Sequence, residues 1–429
     1  MWKRQNAWSR LTHVCRKWRA IVFASSSRLD LGITIGPHHP SHIKTILSSS
    51  LPIFIKYGRI YSGVSIGSAR WRMLAALKHH DRVRKISFEE MSVEFEKFFD
   101  KTQCAFPVLE SLSLCFKHIH EAKLPNTFLK GPDPSSLNNL RHLKLGPTTL
   151  ASISDFLLSA TALTHLSLQI DAACSPSAEA SLLACLQGMP CLCSLDLSLT
   201  HKSPSQPPTP KDIVRLSKLT FFHFVGSSVD LDALVAGLSA PSLLDVDFKF
   251  HDEIWPPIVH LPRFNDEIEN HYRVIFMPFQ ENNLCLSFYT HSDCNGDEPM
   301  FKFGPVWRHH PESIIRMSDA FATMLSAVEE LDVSLFGMYV KSWEDCMPWR
   351  RFLQWLASVK VLRIEDGASY FGRTLSEKPD SDLGFLPALT EIELSEDGSD
   401  ERAAVLAYFQ PFVIARQQAG CPVKVFFDS

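Results

Sequence analysis

The sequence has no run of 18 or more apolar residues, so it holds no segment expected to cross a membrane as a helix. It also lacks the phosphate-binding pattern G-x-x-x-x-G-K-[ST], the dinucleotide pattern G-x-G-x-x-G after a strand, and the zinc pattern H-E-x-x-H. The formal net charge is −4, so the basic excess typical of nucleic-acid-binding proteins is missing as well. These absences predict a chain with no cofactor, no metal, no nucleic-acid partner and no membrane partner.

A cysteine framework is missing too, although the chain holds 11 cysteines. The count is odd, no C-x-x-C pair occurs, and we find no secretory signal pattern, which together favour a reducing, intracellular compartment, cytoplasmic or nuclear. The closest pair, Cys191 and Cys193, falls in an apolar pattern with no second pair nearby. We therefore expect free thiols that are buried or half-buried on one strand face rather than a zinc site.

One short motif of catalysis does occur. Gly63-Val-Ser65-Ile-Gly67 matches G-x-S-x-G, the turn that exposes a nucleophilic serine between a strand and a helix. The flanks are compatible, with a β-like segment over Ile53–Tyr57 and a helix-like one over Ala69–Lys78. However, little chain precedes the motif to build the strands that normally come before it. We predict a glycine-containing turn and no enzyme, with an esterase-like activity as the alternative.

What the sequence has in abundance is a short repeated pattern: apolar, two variable residues, apolar, one variable residue, apolar. Successive copies begin 23 to 31 residues apart, with one longer gap between Leu243 and Val328. The copies are Val83–Phe88, Leu109–Leu114, Leu140–Leu145, Leu163–Leu168, Leu192–Leu197, Leu219–Phe224, Leu243–Phe248, Val328–Val333, Val359–Ile364 and Leu389–Leu394. Because alternate residues of a strand face one side, the last two apolar residues of each copy point together into a core.

Helical patterns lie between the strand patterns, with apolar residues at i, i+3 and i+4. They are Ile153–Leu158, Ala178–Leu186, Leu231–Leu238, Ala320–Leu325 and Trp349–Leu356. The sequence therefore predicts an α/β fold: a leucine-rich-repeat-like solenoid with a curved parallel sheet and one helix per repeat. The alternative is an ordinary α/β domain with a parallel sheet. The asparagine that usually follows the third apolar position is absent, so we expect no asparagine ladder.

Breaks in the repeat suggest four segments. We predict a short helical segment over 1–36, a repeat array over 37–250, an irregular insertion with β-strands over 251–316, and repeats with a capping helix over 317–429. Within the insertion, Arg273–Met277 and Leu284–Tyr289 are β-rich, which predicts either a hairpin or two extra strands of the main sheet.

Loops and helix ends complete this prediction. The proline-rich His201–Lys211 and the tract His291–Pro311 are expected to be loops. Glu401–Gly420 reads as a helix kinked or divided at Pro411 and ended by its glycine.

The N-terminal segment carries an apolar stripe at helical spacing, with basic residues away from it. The stripe consists of Trp8, Leu11, Cys15, Trp18 and Val22. A helix lying on a membrane surface is the generic alternative for such a pattern.

The segment Trp8–Ile21, which includes Val14, resembles the last helix of an F-box, and the rest of the chain resembles the fungal F-box-like leucine-rich-repeat proteins. The stretches that carry the second resemblance are Ala75–Ile86, Leu157–Ala160, Asp232–Leu244 and Phe412–Gly420.

The resemblance implies a substrate-recognition subunit of a cullin-RING (Skp-cullin-F-box) ubiquitin ligase. The residues that would contact a Skp-type adaptor are Trp8, Leu11, Val14, Cys15 and Trp18. The L-P-x-E-x-L helix that opens a typical F-box does not occur in this sequence. The alternative is therefore a stand-alone repeat scaffold that has lost adaptor binding.

The variable residues between the apolar positions point outward, and in a solenoid they form the default binding surface. They are neutral to basic in the early strands, where His142, Lys144 and His165 lie, and mostly acidic in the late strands. We predict that a basic segment of an unknown protein substrate binds the acidic part of the concave face. The predicted residues are Asp245, Asp247, Glu330, Asp332, Glu391 and Glu393. The alternative is that these are solvated strand residues that keep the sheet soluble.

Overall fold

The structure is a computed structural model, and it describes the chain in segments. The described residues are 15–17, 33–35, 52–57, 75–91, 106–116, 138–170, 178–200, 213–243, 245–250, 272–279, 283–290, 301–305, 322–334, 347–366, 368–376, 386–395 and 399–427. The chain forms two compact units, Met1–Leu197 (unit 1) and Ser198–Ser429 (unit 2). In the part described, no helix combines the length and the apolar character needed to cross a membrane.

Unit 1 contains a run of parallel strands in chain order. The strands are β1 (Ile33–Ile35), β2 (Ile53–Tyr57), β3 (Val83–Met91), β4 (Ser111–Phe116), β5 (His142–Thr148), β6 (His165–Ile170) and β7 (Ser194–Leu199), the last crossing the boundary between the units. Each strand from β1 to β5 pairs in parallel with the next one. Register places the second apolar positions of three repeats side by side: Leu112 against Leu143, and Leu143 against Leu166.

Burial follows the period of two that the repeat predicts. In β6 the inward residues Leu166 and Leu168 are 1% exposed, while His165, which directly precedes Leu166 and lies on the other face of the strand, is exposed to solvent. Burying one such side chain contributes roughly 1.5–3 kcal/mol, so a single repeat cannot support itself but stacked repeats can. Helices α1 (Leu150–Ser159) and α2 (Ala178–Gln187) add Ile153, Leu157 and Leu186 to the same core.

The strands of unit 2 are mostly parallel, with one antiparallel interruption. They are β8 (Val214–Arg215), β9 (Phe221–Gly226), β10 (Leu238–Ser239), β11 (Asp245–Phe250), β12 (Tyr272–Phe279), β13 (Asn283–Thr290), β14 (Phe301–Pro305), β15 (Val328–Ser334), β16 (Val361–Asp366), β17 (Glu391–Leu394) and β18 (Lys424–Phe427). The order within the main sheet of this unit is β9-β11-β14-β13-β12-β15-β16-β17-β18. Only the β14–β13 and β13–β12 pairs of this order are antiparallel among its recorded strand pairings.

The core of unit 2 begins with aromatic rather than leucine side chains. Phe222, Phe224 and Phe248 are fully buried and meet edge to face, with ring centroids 5.3 to 6.5 Å apart. Such contacts contribute about 0.5–1.5 kcal/mol beyond the burial of the rings. The helices of this unit are α3 (Ser228–Ala236), α4 (Ala322–Ser326), α5 (Met347–Gln354), α6 (Ala368–Ser376) and α7 (Ser399–Gln418).

A turn with the same hydrogen bond precedes many of the strands in both units. The N–H of the first apolar residue of a copy donates to the carbonyl three residues earlier, as in Leu163 to Ala160 (3.3 Å) and Leu389 to Leu386 (3.1 Å). The same bond recurs from Leu109, Leu192, Leu219, Leu243 and Val359. The acceptor residue is buried in each case, so the repeat has an apolar position that the sequence pattern did not include.

Side chains also link successive turns. One residue before a copy, Asn139 donates to the carbonyl of Pro107 (2.7 Å) and Ser358 donates to that of Ser326 (2.7 Å). Ser242 donates in the same way to Ser217 (2.9 Å). Each acceptor lies two residues before the first position of the preceding copy. The turns are therefore connected by a hydroxyl and amide ladder that lies before the strands rather than after them.

The ten predicted strands and the predicted antiparallel pair are present, since β12 and β13 form a hairpin that also joins the main sheet of unit 2. The tract His291–Pro311 is not all loop, because β14 lies inside it and pairs with β11. The mixed α/β class with a large parallel sheet is thus confirmed. The predicted segment boundaries stay predictions, and His201–Lys211 lies outside the described residues.

Of the two alternatives at Pro411, a division into two helices is wrong, because α7 is one helix of 20 residues with Pro411 inside it, and the kink stays a prediction. The helix ends as expected, because Gly420 has a φ of 79° and Cys421 N–H donates to the carbonyl of Arg416 (2.9 Å). The buried guanidinium of Arg416 in turn donates to the carbonyls of Pro387 and Leu389, both at 3.0 Å. This ties the last helix to the turn before β17.

Candidate protein-interaction surfaces

Three adjacent strands of unit 2 bring charged side chains together on the outward face of the sheet. Asp332 of β15 is in register with Arg363 of β16, and Arg363 is in register with Glu393 of β17. Glu330 lies two residues before Asp332, so it shares the same face. The sheet register alone therefore places one guanidinium among three carboxylates.

Hydrogen bonds join these four residues, which we name the Arg363 cluster. Arg363 Nη1 donates to Glu330 Oε2 (2.6 Å) and to Asp332 Oδ1 (3.4 Å), and Arg363 Nε donates to Glu393 Oε2. The side chain of Arg363 is 30% exposed and that of Asp332 only 10% exposed. Charge-assisted bonds of this kind are about twice as strong as neutral ones, so the cluster is pre-organised.

The cluster keeps an excess of negative charge. Burial alone would lower the pKa of Arg363, but hydrogen bonds to Glu330 and Glu393 and the charge of Asp332 outweigh burial and raise it. The guanidinium is therefore a permanent cation. Within the cluster itself three carboxylates meet one guanidinium, and Arg273 of β12 is the register partner of Glu330.

The other predicted acidic residues lie apart from the cluster or beside it. Asp247 of β11 contacts His223 of β9, with 3.4 Å between Oδ2 and Nε2. Glu391 of β17 is half-buried and in register with Lys424 of β18. Asp245 begins β11, but its side chain lies outside the described part of the structure. Of the six predicted residues, Glu330, Asp332 and Glu393 thus form one compact group, and Asp247 and Glu391 are separate from it.

The outward face of unit 1 has a different composition. His142 of β5 and His165 of β6 are register partners, and their rings stack with centroids 4.4 Å apart and an interplanar angle of 20°. Lys144 is exposed two residues after His142. On β3, Lys85 Nζ lies 5.0 Å from the centre of the Phe54 ring. We name His142, Lys144, His165 and Lys85 the imidazole face.

Acidic side chains near the imidazole face are engaged. Glu110 Oε2 lies 2.6 Å from Arg84 Nε, and Asp196 Oδ2 accepts from Ser167 Oγ at 2.7 Å. The thiol of Cys115 is half-buried in β4, and burial raises its pKa. This thiol is therefore not activated as a nucleophile.

Of the predicted adaptor residues the structure describes only Cys15, which is exposed and directly precedes the helical residues Arg16 and Lys17. Trp8, Leu11, Val14 and Trp18 lie outside the described residues, as does the motif Gly63–Gly67. Cys191 and Cys193 are half-buried as predicted, but they precede β7 rather than lying on it.

The residue that sequence reasoning left out of the site is Arg363. Its outward position followed from the spacing of the repeat, but only the register shows that it lies between carboxylates of two neighbouring strands. An arginine in the alternating position next to acidic copies is the signal that could have identified it.

Within the described residues, no group of three or more His, Cys, Asp or Glu side chains could hold a metal ion. No protein-family model matches the chain, and no curated protein matches it either.

Proposed function

We propose that the chain is a protein-interaction module built as a leucine-rich-repeat-like solenoid, which binds a basic segment of a partner protein on the outward face of its strands. The observation that carries the proposal is the Arg363 cluster. It fixes carboxylates of two strands, β15 and β17, around one arginine of β16, so that carboxylates outnumber the guanidinium three to one within the cluster. A pre-organised acidic surface of this kind attracts a basic segment and speeds its association.

The solenoid part of the proposal is supported by the repeated turn. The same backbone bond precedes copies of the pattern in both units, and the ladder from Asn139, Ser242 and Ser358 links one copy to the copy before it. Contacts of this kind between neighbours along the chain are the defining property of repeat proteins.

The role that we propose for the module is substrate recognition in a cullin-RING ubiquitin ligase. This role depends on the resemblance of Trp8–Ile21 to an F-box helix. The repeats would hold the substrate, and the N-terminal helix would hold a Skp-type adaptor. The protein itself is proposed to carry out no catalysis.

The adaptor role is tested by co-purification of the full chain with a Skp-type adaptor. The matched variant is Trp8→Ala with Trp18→Ala, and its control is Trp355→Ala, which changes an exposed tryptophan of unit 2. We expect retention by the parent and the control, and loss in the double variant. If the adaptor is not retained by the parent, the chain acts as a stand-alone repeat scaffold and the ligase role is wrong.

The basic-partner role is tested separately by fluorescence anisotropy with a labelled lysine- and arginine-rich peptide. We expect Glu391→Gln with Glu393→Gln to weaken binding about tenfold, a loss of about 1.4 kcal/mol. Glu110→Gln, which changes a carboxylate in unit 1, should leave binding unchanged. Equal affinities for all three proteins, with no dependence on salt, would show that the cluster is only a solvated surface.

A further inference from the structure

The imidazole face of unit 1 is a second charged surface, opposite in character to the Arg363 cluster. Lys144 and both histidines are exposed, and Lys85 is half-buried. The neighbouring outward residues on β4 are the serines Ser111 and Ser113, which carry hydroxyl groups and no charge. The face therefore offers cationic groups and hydroxyl donors, which are the chemistry that recognises carboxylates.

The two imidazole rings hold each other in place. Their stacking at 4.4 Å is compatible with one neutral ring, whereas two cationic rings at that distance repel each other. An anion that lies against the pair would offset this repulsion. The stack is thus a place where an anionic ligand favours the cationic form of His142.

The hydrogen bonds of Thr164 define the tautomer of His165. The hydroxyl of Thr164 donates its one hydrogen to the carbonyl of Arg141 (3.0 Å). It must then accept the bond that joins it to His165 Nδ1 (2.9 Å), so Nδ1 carries a hydrogen. In the neutral ring Nε2 is the remaining acceptor.

We propose that the imidazole face docks an acidic peptide segment of a partner protein, and that protonation of the stacked histidines strengthens this docking. Charge complementarity selects the occupant, because Lys144 and the protonated pair offer positive charge across two adjacent strands. The inference rests on side chains of unit 1 alone and does not depend on the partner proposed for unit 2.

The surroundings of His142 favour its neutral form when no ligand is present. Burial, then the neighbouring His165, and also Lys85, lower the pKa of His142, while contacts with Glu110 partly oppose the shift. Other charged groups on this face or beside it are Arg84, Glu89, Arg141, Lys144 and Asp196. A bound carboxylate would raise the pKa of His142 again, so by linkage its affinity must increase as the pH falls.

The test uses the full chain and a fluorescein-labelled glutamate-rich peptide, measured by anisotropy at constant ionic strength. Between about pH 7.5 and about pH 5.5 we expect the affinity to rise about fivefold or more, since the glutamates stay ionised while the imidazoles take up protons. The same peptide with glutamine in place of glutamate should not bind at either pH.

His142→Gln with His165→Gln should abolish the pH dependence and leave weak binding, while Lys144→Gln should weaken binding at both pH values. The matched control is His223→Gln in unit 2, which should behave as the parent does. Single substitutions, His142→Gln or His165→Gln, replace the double variant if circular dichroism shows that it is unfolded. An affinity that is independent of pH in the parent, or equal binding of the glutamine peptide, would overturn the proposal.

Discussion

Unit 1 and unit 2 use the same strand pattern but present opposite chemistry on their outward faces. In unit 1 a stacked pair of imidazoles lies beside lysine side chains, with Glu110 and Asp196 already engaged. In unit 2 one guanidinium is surrounded by three carboxylates. The inward positions differ less, being mostly leucine in β4, β5 and β6, phenylalanine in β9, and valine and phenylalanine in β11. The core positions define the scaffold, and the variable positions define which partner each face favours.

The largest expected effects come from substitutions in the cores of the two units. Phe248→Ala should lower the free energy of unfolding by about 3–5 kcal/mol, because it removes a ring that contacts both Phe222 and Phe224. Leu166→Ala in unit 1 should cost about 2–5 kcal/mol. Denaturant unfolding measures each loss, and hydrogen exchange locates it. A loss that appears equally in both units would contradict their description as two compact units.

The next effect concerns the Arg363 cluster. Arg363→Met removes the guanidinium that donates to Glu330, Asp332 and Glu393, and it should cost about 1–3 kcal/mol at neutral pH. The control Lys360→Met removes the exposed partner of Glu329 and should cost at most about 1 kcal/mol. Thermal unfolding distinguishes the two variants.

A smaller effect is expected for the turn ladder, which occurs in both units. Asn139→Ala and Ser358→Ala each remove one bond of the turn ladder, which should cost about 0.5–1.5 kcal/mol in either unit. Ser217→Ala changes the residue whose carbonyl accepts from Ser242 but leaves that carbonyl in place, so it should be nearly neutral. If only one unit were sensitive, the turns of the two units would not be equivalent.

The smallest effect belongs to the stacked histidines. The lowered pKa of His142 means that the unfolded chain binds its proton more readily than the folded one. The parent should therefore lose stability as the pH falls below the ordinary histidine pKa of about 6.5, until the folded state is also protonated. His142→Gln should be less sensitive to pH over this range. Melting temperatures of both proteins at intervals from about pH 7.5 to about pH 5 provide the measurement.

Much of the fold could be predicted because the repeat fixes both the strand positions and the inward side chains. Strand β14 was missed because Phe301–Pro305 is a short strand between glycine- and proline-containing stretches, and pairing with β11 rather than local pattern defines it. The pair β8 and β10 was missed for the same reason, since each has two residues. Helix α7 continues through Pro411, although helix propensity alone disfavours proline inside a helix.

The candidate sites could be predicted only as lists of outward residues. Charge along a strand follows from the alternation, so Glu330, Asp332 and Glu393 were identified from the sequence. The position of Arg363 between them, and the stacking of His142 on His165, depend on register between strands that are separated along the chain. Register is set by turns and packing and is not visible in one strand alone.

The most direct test of the difference in chemistry between the two outward faces is a crossed binding measurement. It uses one basic and one acidic peptide against two double variants of the full chain. At about pH 5.5, Glu391→Gln with Glu393→Gln should bind the basic peptide about tenfold more weakly and the acidic one as the parent does, while His142→Gln with His165→Gln should weaken binding of the acidic peptide alone. Weaker binding of both peptides in either variant, or of neither peptide in both, would contradict the assignment of one partner chemistry to each face.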